Sequence, residues 1–470
     1  MTWPSAARAF PGERGGIAAG HRRSAPPVPA AIAHHLGGRA PMRILFVSNP
    51  FRSHLYVQVP MAWALRNAGH EVCIAGPPDM ADDIKHSGLP GVSVGEMLLL
   101  AEKVAKVPPI KEATGEADPR GNRTGKSVQT DFGWGDPYVE FKDLISGVRG
   151  VFYPESTVED LLSFTQTWKP DLVISDPTAL PAAVAARSVG AAHARMLFTV
   201  DRMAQLRAAC RNQLETEGDP LRDWLQPLLD RYGSEFDESA VLGQWTLSPM
   251  PLYIWRPQGV QYLPMRNVPF NGPATTPTWV YEPPARRRVC MTLGISHRDA
   301  NIEGTSASTS ELFEAVADLD IEIVATFNAK QLESVPTLPD NVRAVDFIPL
   351  NSLLPSCSAI VHEGGCGTFA SALEAGVPQV IVPNDFKVEK WWGSVAMANA
   401  VEDRGAGIYA VNAGRLTADV LRDSLKQVLE DPSYAASAAR MRAEVRAMPT
   451  ANDVVPALEK LTAEYRTSRP

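Results

Sequence analysis

The fold is decided by residues 43–75, which read RILFVSNPFRSHLYVQVPMAWALRNAGHEVCIA. The run at 44–47 is continuous and apolar, which is typical of a strand buried on both faces of a parallel sheet. Small and apolar residues then recur at helical spacing from Met61, and Gly69 follows where helix C-termini favour glycine. A second apolar run at 72–75 completes a strand–helix–strand unit.

Apolar runs of the same kind recur in two series along the chain. The first series continues at 171–174, and the second begins at 289–292 after a stretch rich in proline and aromatic residues. Further runs lie at 323–325, 344–345, 359–361 and 380–382. Because helical segments separate most of them, we predict an α/β protein with two Rossmann-like, doubly wound lobes that face each other across a cleft.

These patterns divide the chain into five expected segments. Residues 1–41 lack periodicity and are expected to form a disordered leader, which makes Met42 a candidate start. The other expected segments are a first lobe at 42–265, a linker at 266–285, a second lobe at 286–448 and a C-terminal helix at 449–470 that packs back on the first lobe. The stretch at about 111–138 is expected to be a mobile surface loop.

The composition disfavours several classes of protein. The 470 residues carry a net charge of −8 without a long basic run, which argues against binding to a nucleic acid backbone. No apolar run approaches the roughly 20 residues of a membrane-spanning helix, so we expect a soluble protein. The Arg22-Arg23 pair lacks the apolar segment of an export signal, and the five widely spaced cysteines indicate neither disulfides nor zinc. A cytoplasmic, metal-free protein is expected.

The chemistry is expected at residues 362–368, HEGGCGT, which follow an apolar strand and precede a predicted helix at 369–375. Glycines in such a turn let backbone N–H groups approach an anion closely, and the N-terminus of the helix adds a favourable dipole. Diphosphate binding is one interpretation of this turn, and an ordinary tight turn is the other.

Together with Glu374-Ala375-Gly376-Val377-Pro378-Gln379, this turn resembles the donor site of the large inverting glycosyltransferase family with the two-lobed B-type fold. The resemblance extends to residues 43–46, His54, Pro60, 69–72 and the loop at 292–296. The stretches at 243–246, 271–273 and 286–289 are similar to the actinobacterial macrolide and anthracycline deoxy(amino)sugar transferases. The resemblance covers about residues 42–461.

The resemblance implies that the first lobe binds an acceptor, with His54 as the general base that takes the proton of the acceptor hydroxyl. Histidine titrates near neutral pH and therefore suits this role. Asp176, which closely follows the strand at 172–174, matches the carboxylate that orients the histidine. The alternatives are a loop histidine without a catalytic role and a strand-end turn residue followed by Pro177.

The resemblance also implies that the second lobe binds a nucleotide sugar. The predicted donor-binding residues are Thr292, Gly294, Ser296, Ile348, His362, Glu363, Gly364, Gly365, Cys366, Gly367, Thr368, Trp392, Gly393 and Ser394. No cofactor and no metal are expected, because the sugar donor is a co-substrate and backbone amides with a helix dipole can meet the charge of the leaving diphosphate.

Three positions depart from the family pattern. Glu363 stands where the family has a phosphate-contacting histidine, and a carboxylate there repels a diphosphate unless it turns outward or protonates. The neighbouring His362 either replaces that histidine or is a strand-end residue with satisfied hydrogen bonds. Gly393 stands where an acidic residue holds sugar hydroxyls, which favours a deoxygenated sugar. Ser371 stands where a glutamate binds a ribose diol, which favours a thymidine diphosphate donor.

The sequence therefore predicts an inverting transfer of a deoxy(amino)sugar from a dTDP-sugar donor to a small hydrophobic, polyketide-type aglycone in antibiotic biosynthesis. The resemblance also implies a haem-less, cytochrome-like helper protein as a partner. Two other hypotheses stay open. One is a nucleotide-sugar-binding accessory protein, impaired by Glu363 and Gly393, and the other is a nucleotide-sugar epimerase with the same architecture.

Overall fold

The computed structural model describes residues 40–100, 136–254, 256–292, 308–333, 335, 337–383 and 393–467. Across these residues it contains two fully parallel sheets, of seven and six strands, with helices packed against them. The predicted fold class is confirmed. The expected leader, apart from its last two residues, and most of the loop expected at 111–138 lie outside the described residues.

The first sheet has the order β3-β2-β1-β4-β5-β6-β7. Its strands are β1 (Arg43–Val47), β2 (Glu71–Gly76), β3 (Gly91–Ser93), β4 (Leu172–Ser175), β5 (Ala192–Met196), β6 (Trp245–Ser248) and β7 (Tyr262–Pro264). Its helices are α1 (Arg52–Asn67), α2 (Ala81–His86), α3 (Pro137–Gly147), α4 (Glu155–Trp168), α5 (Pro181–Ser188), α6 (Arg202–Ala209), α7 (Arg211–Thr216), α8 (Pro220–Asp230) and α9 (Ser239–Leu242). A π-helix at Val148–Phe152 follows α3.

The second sheet has the order β10-β9-β8-β11-β12-β13. Its strands are β8 (Arg287–Thr292), β9 (Ile321–Thr326), β10 (Val342–Ala344), β11 (Cys357–His362), β12 (Gln379–Ile381) and β13 (Gly407–Tyr409). The helices that follow β8 are α10 (Thr309–Glu314), α11 (Leu350–Leu353), α12 (Cys366–Ala375), α13 (Ser394–Asp403), α14 (Ala418–Glu430), α15 (Pro432–Arg446) and α16 (Ala451–Tyr465). Short 3-10 turns lie at Pro78–Met80, Thr278–Tyr281, Lys330–Leu332, Leu354–Ser356 and Ala413–Arg415.

The proline- and aromatic-rich stretch begins after residue 242, inside the expected first lobe. It contains β6 and β7, which complete the first sheet. These strands escape the sequence pattern because β7 ends in Pro264 and lies at the edge of the sheet, where proline is tolerated. The helix expected at 369–375 begins earlier, at Cys366, so part of the glycine-rich turn is itself helical.

Each face of the first sheet is buried by helices. Leu45 and Val47 of β1 belong to one apolar cluster, whereas Ile44 and Phe46 belong to another on the opposite face. The second cluster also contains Leu458 of α16, so the C-terminal helix packs on the first lobe, against α1. Burial of one such aliphatic side chain contributes roughly 1.5–3 kcal/mol. Within the described ranges, no helix is long and apolar enough to cross a membrane.

The order of both sheets reverses at one pair of neighbouring strands. In the first sheet β1 lies beside β4, with Val47 opposite Ser175, and in the second β8 lies beside β11, with Thr292 opposite His362. Open parallel sheets bind ligands at the carboxyl ends of such a strand pair. The topology therefore places two half-sites, one in each lobe.

One buried histidine lies in each sheet, and burial lowers the pKa of both to about 4. They are His193 in β5 and His362 in β11. In the unfolded chain histidine titrates near pH 6.5. As the pH falls below 6.5, the unfolded state therefore takes up protons before the folded state does, and the free energy of unfolding decreases down to about pH 4. Above pH 6.5 both states are neutral at these positions.

We therefore expect His193→Gln to lose less unfolding free energy than the wild type between pH 7 and pH 4.5, by on the order of 3 kcal/mol. Urea unfolding at the two pH values measures this difference. His86→Gln, which changes an exposed histidine of α2, is the matched control and is expected to follow the wild type. Parallel pH dependences for all three proteins would contradict the assignment of a neutral buried His193.

Candidate active site

His54 lies in the first turn of α1, after β1 and at the carboxyl edge of the first sheet. The helix begins at Arg52, earlier than the helical spacing from Met61 indicates. The side chain is buried, and its Nδ1 lies 2.6 Å from Oδ2 of Asp176. Because an ionised carboxylate can only accept, Nδ1 carries the proton and donates it, which leaves a lone pair on Nε2 of the neutral ring.

Asp176 is 1% exposed and divides its two carboxylate oxygens between different partners. Oδ1 accepts hydrogen bonds from Asn49 Nδ2 at 3.0 Å, from the Thr178 amide at 2.9 Å and from the Thr178 hydroxyl at 2.8 Å. Oδ2 accepts the bond from His54. A buried carboxylate is costly unless it is paired and hydrogen-bonded, and these donors meet that requirement.

Aromatic side chains hold the imidazole in place. Phe198, which follows β5, stacks on the His54 ring with the ring centroids 3.6 Å apart and the planes inclined by 24°. Phe51 contacts the same ring at a centroid distance of 5.1 Å. Rotation of the imidazole is therefore restricted, and the surface beside it is apolar.

In the second lobe, the glycine-rich turn requires glycine at position 364. Gly364 has a φ of +87°, and a Cβ there would lie 2.8 Å from Cβ of Ser394. The chain then enters α12, whose N-cap residue Gly365 provides no side-chain cap. The amides of Cys366, Gly367 and Thr368 lie in the first helical turn, where backbone N–H groups lack intrahelical partners and favour an anion.

The His362 side chain is buried at the end of β11 and hydrogen-bonded within the protein. Its Nδ1 accepts a hydrogen bond from the Gly364 amide at 3.0 Å, and its Nε2 lies 2.9 Å from Gln379 Oε1. Both ring nitrogens are engaged in shaping the turn, and the side chain is 1% exposed. Of the two alternatives from the sequence, the structure favours the strand-end residue with satisfied hydrogen bonds.

Glu363 stays at the turn and does not face outward. It is 7% exposed and lines a pocket between the two lobes, which is described below. Its Oε1 would lie 3.0 Å from a Cβ atom added to Gly365. A carboxyl group therefore lies beside the first turn of α12.

Gly393 and Ser394 lie behind the turn instead of on the pocket surface. Ser394 is fully buried against Gly364, and a Cβ on Gly393 would lie 2.4 Å from Cγ2 of Val200 in the first lobe. Packing places both positions against protein atoms, and their contact with the donor stays a prediction. Gly294, Ser296 and Trp392 lie outside the described residues.

One pocket, here called the cleft pocket, joins the half-sites of the two lobes. His54, Phe51 and Phe198 line it from the first lobe. The second lobe contributes the predicted residues Thr292, Ile348, Glu363, Gly365, Cys366, Gly367 and Thr368. The structure thus brings the predicted base and the first turn of α12 into one space.

Sequence reasoning missed several residues of the cleft pocket, including Asn271, Thr326 and Asp346. The Thr326 hydroxyl lies 2.7 Å from that of Thr292, which fixes the end of β8. Asn271 accepts a hydrogen bond from the Asn351 amide at 2.9 Å and directs its Nδ2 toward the Ser371 hydroxyl at 3.5 Å. Asn271 belongs to the stretch 271–273 that resembles the family, but the resemblance assigned it no role. Thr326 and Asp346 belong to no such stretch.

Ser371 lies on α12 and is 2% exposed. Its hydroxyl donates to the Gly367 carbonyl at 2.8 Å.

Within the described ranges, no group of three or more histidine, cysteine, aspartate or glutamate side chains is arranged to hold a metal ion.

Comparisons with known proteins agree with this geometry. Residues 63–294 match the family model of the erythromycin biosynthesis protein CIII-like N-terminal domain, and residues 310–461 match that of the C-terminal domain. Aclacinomycin-T 2-deoxy-L-fucose transferase of Streptomyces galilaeus is 44% identical over 91% of this chain and 98% of its own length. 10-Deoxymethynolide desosaminyltransferase of Streptomyces venezuelae is 40% identical over 90% of this chain and 98% of its own.

Among solved structures, glycosyltransferase VinC in complex with dTDP superposes with a TM-score of 0.77 at 37% identity, covering 90% of this chain and all of that one. Spinosyn forosaminyltransferase SpnP superposes with a TM-score of 0.73 at 35% identity, covering 90% and 99% of the two chains. The half-sites at the strand reversals and the pocket between them are consistent with this kinship, and the chain belongs to the erythromycin biosynthesis protein CIII-like family of glycosyltransferases.

Proposed function

We propose that this glycosyltransferase moves a deoxysugar, with inversion, from a dTDP-sugar to a hydroxyl of a polyketide-type aglycone. The observation that carries the proposal is the cleft pocket, which holds both His54 and the first turn of α12. The relatives support it, because two are named as transferases of 2-deoxy-L-fucose and of desosamine, and VinC is described in complex with dTDP. A cytoplasmic location and a haem-less helper protein belong to the same proposal.

The proposed reaction follows from the two half-sites. Nε2 of His54 accepts the proton of the acceptor hydroxyl while that oxygen forms a bond to the anomeric carbon. The bond from the anomeric carbon to the diphosphate oxygen breaks, and dTDP leaves with the electron pair. Asp176 stabilises the imidazolium through Nδ1, whereas the amides of Cys366, Gly367 and Thr368 stabilise the charge on the diphosphate.

Side chains in and behind the cleft pocket support a hydrophobic acceptor and a deoxynucleotide donor. Phe51, Phe198 and Val57 provide apolar contact for a hydrophobic acceptor beside the base. On the donor side Ser371 is a small side chain bonded to its own helix, so it provides no carboxylate for a ribose diol. A deoxynucleotide, which lacks the 2′-hydroxyl, fits this position.

Turnover is expected to depend on the His54–Asp176 pair. His54→Ala removes the base and should lower kcat by about 100-fold or more, and Asp176→Asn should lower it by about tenfold or more because the imidazolium loses its counter-charge. Product formation from a dTDP-deoxysugar and an extract of candidate aglycones, with and without a helper protein, measures both effects. His86→Ala is the matched control at an exposed histidine.

The alternatives give different results in the same assay. Donor binding without turnover, unchanged in His54→Ala, would favour the accessory protein. Conversion of the donor in the absence of any acceptor would favour the epimerase.

The glycine turn provides a second test. Gly364→Ala forces an alanine to a φ of +87° against Ser394, which should destabilise the fold by about 1–3 kcal/mol and weaken dTDP binding. Gly367→Ala meets no atom within 4 Å and should keep the stability of the wild type, while its methyl group obstructs the diphosphate. Thermal unfolding and titration with dTDP separate the two effects. Wild-type dTDP affinity in Gly367→Ala would contradict a diphosphate at the first turn of α12.

Glu363 is the observation that favours the accessory protein as a second candidate, because its charge opposes a diphosphate at the same turn. At an effective dielectric of about 20, two unit charges 4 Å apart interact with about 4 kcal/mol. We expect Glu363→Gln to tighten dTDP binding by about tenfold or more, as measured by calorimetric titration. Glu374→Gln, at the far end of α12 and paired with Arg446, is the control. An unchanged affinity in Glu363→Gln would show that this carboxylate does not oppose the donor.

A further inference from the structure

A chain of buried polar groups extends behind the His54–Asp176 pair. The Tyr153 hydroxyl donates to Oδ1 of Asn49 at 2.7 Å, and Nδ2 of Asn49 donates to Oδ1 of Asp176 at 3.0 Å. Tyr153 is 5% exposed and Asn49 is fully buried. We propose that Tyr153 and Asn49 are positioning residues that hold the Asp176 carboxylate, and through it the His54 imidazole. This inference rests on the proposed roles of His54 and Asp176.

The direction of each hydrogen bond in this chain is fixed. Burial and the charge of Asp176 raise the pKa of Tyr153 well above its ordinary value, so the phenol stays protonated and donates. The Asn49 oxygen accepts this bond, and its NH₂ group therefore faces Asp176 Oδ1. Because Oδ1 also accepts from Thr178, Oδ2 is left for Nδ1 of His54. Each donor along the chain thus favours the neutral histidine that carries its proton on Nδ1.

A π-helix directly before Tyr153 positions this residue beside Asn49. The residue directly follows the π-helix at Val148–Phe152, a rare element that is frequent at functional sites. The neighbouring Phe152 packs edge-on against Phe51 with the ring centroids 5.6 Å apart, and Phe51 is the N-cap residue of α1. The π-helix therefore contacts the start of α1, which carries His54, and Tyr153 directly after it contacts Asn49, which donates to Asp176.

This geometry predicts how the enzyme responds when one hydroxyl is removed. Tyr153→Phe leaves Asn49 Oδ1 without its donor and weakens the donation from Nδ2 to Asp176. A less stabilised carboxylate bears more charge on Oδ2, which favours protonated over neutral His54. The other charged side chains that line the cleft pocket are Arg52, which is paired with Asp83, and Glu363 and Asp346 of the second lobe, and the substitution alters none of them.

We expect Tyr153→Phe to lower kcat by on the order of tenfold, to leave the KM for the donor within twofold, and to shift the acid limb of the pH–rate profile to higher pH. A merely structural tyrosine would not move that limb. Tyr138→Phe removes a phenol hydroxyl that donates to the Gly218 carbonyl, away from the pair, and serves as the matched control. It should keep the wild-type kcat and pH profile.

A double substitution tests the order of the chain. If Tyr153 acts through Asn49, the kcat of Tyr153→Phe/Asn49→Ala equals that of Asn49→Ala alone, whereas independent effects multiply. Folding of each variant is verified by dTDP titration and circular dichroism. Two outcomes would overturn the inference if His54→Ala still abolishes turnover. One is a double variant in which the two losses of kcat multiply, and the other is a Tyr153→Phe enzyme with the wild-type kcat and acid limb. Undiminished turnover in His54→Ala would instead overturn the proposed function.

Discussion

The hydrogen bond between His54 and Asp176 is the interaction on which the site depends, and the topology of the first sheet makes it possible. β1 and β4 are 128 residues apart at their facing ends, where Val47 and Ser175 are register partners, and this separation is roughly the length of a small domain. The residues that follow both strands meet at the carboxyl edge. A buried carboxylate at that edge costs several kcal/mol unless donors surround it, so Asn49 and Thr178 are required by Asp176 itself.

The second lobe has the same topology, but its half-site provides backbone N–H groups that favour an anion. Its strand reversal, between β8 and β11, presents the backbone amides of the first turn of α12 beside the Glu363 carboxylate, since α12 begins within the glycine-rich turn. His362 shapes the turn without lining the pocket, because its Nδ1 accepts a hydrogen bond from the Gly364 amide. Burial lowers the pKa of His362, which keeps the ring neutral and able to accept this bond. A protonated histidine at that position could not accept the bond that shapes the turn.

The sequence predicts most of what depends on local pattern. Apolar runs located most strands and both carboxyl edges, whereas the pairing of His54 with Asp176 was implied by the resemblance to the family. What escaped depends on contacts between distant segments. Tyr153 and Asn49 are 104 residues apart, and neither belongs to a motif. The role of His362 could not be decided from the sequence because its partner Gln379 lies on the next strand, and only the strand register brings them together.

Packing also explains the glycine that departs from the family pattern at position 393. Gly393 has a φ of +76° and lies against Val200, which belongs to an apolar cluster that contains Met250 of the first lobe and Phe369 and Met397 of the second. An acidic side chain at this position would need both a strained backbone and space now filled by Val200. The resemblance implies a carboxylate for sugar hydroxyls at this position, and the apolar contact between the lobes leaves no space for one. A lobe interface packed in this way has no room for that carboxylate, and a sugar with few hydroxyls is the donor that needs it least.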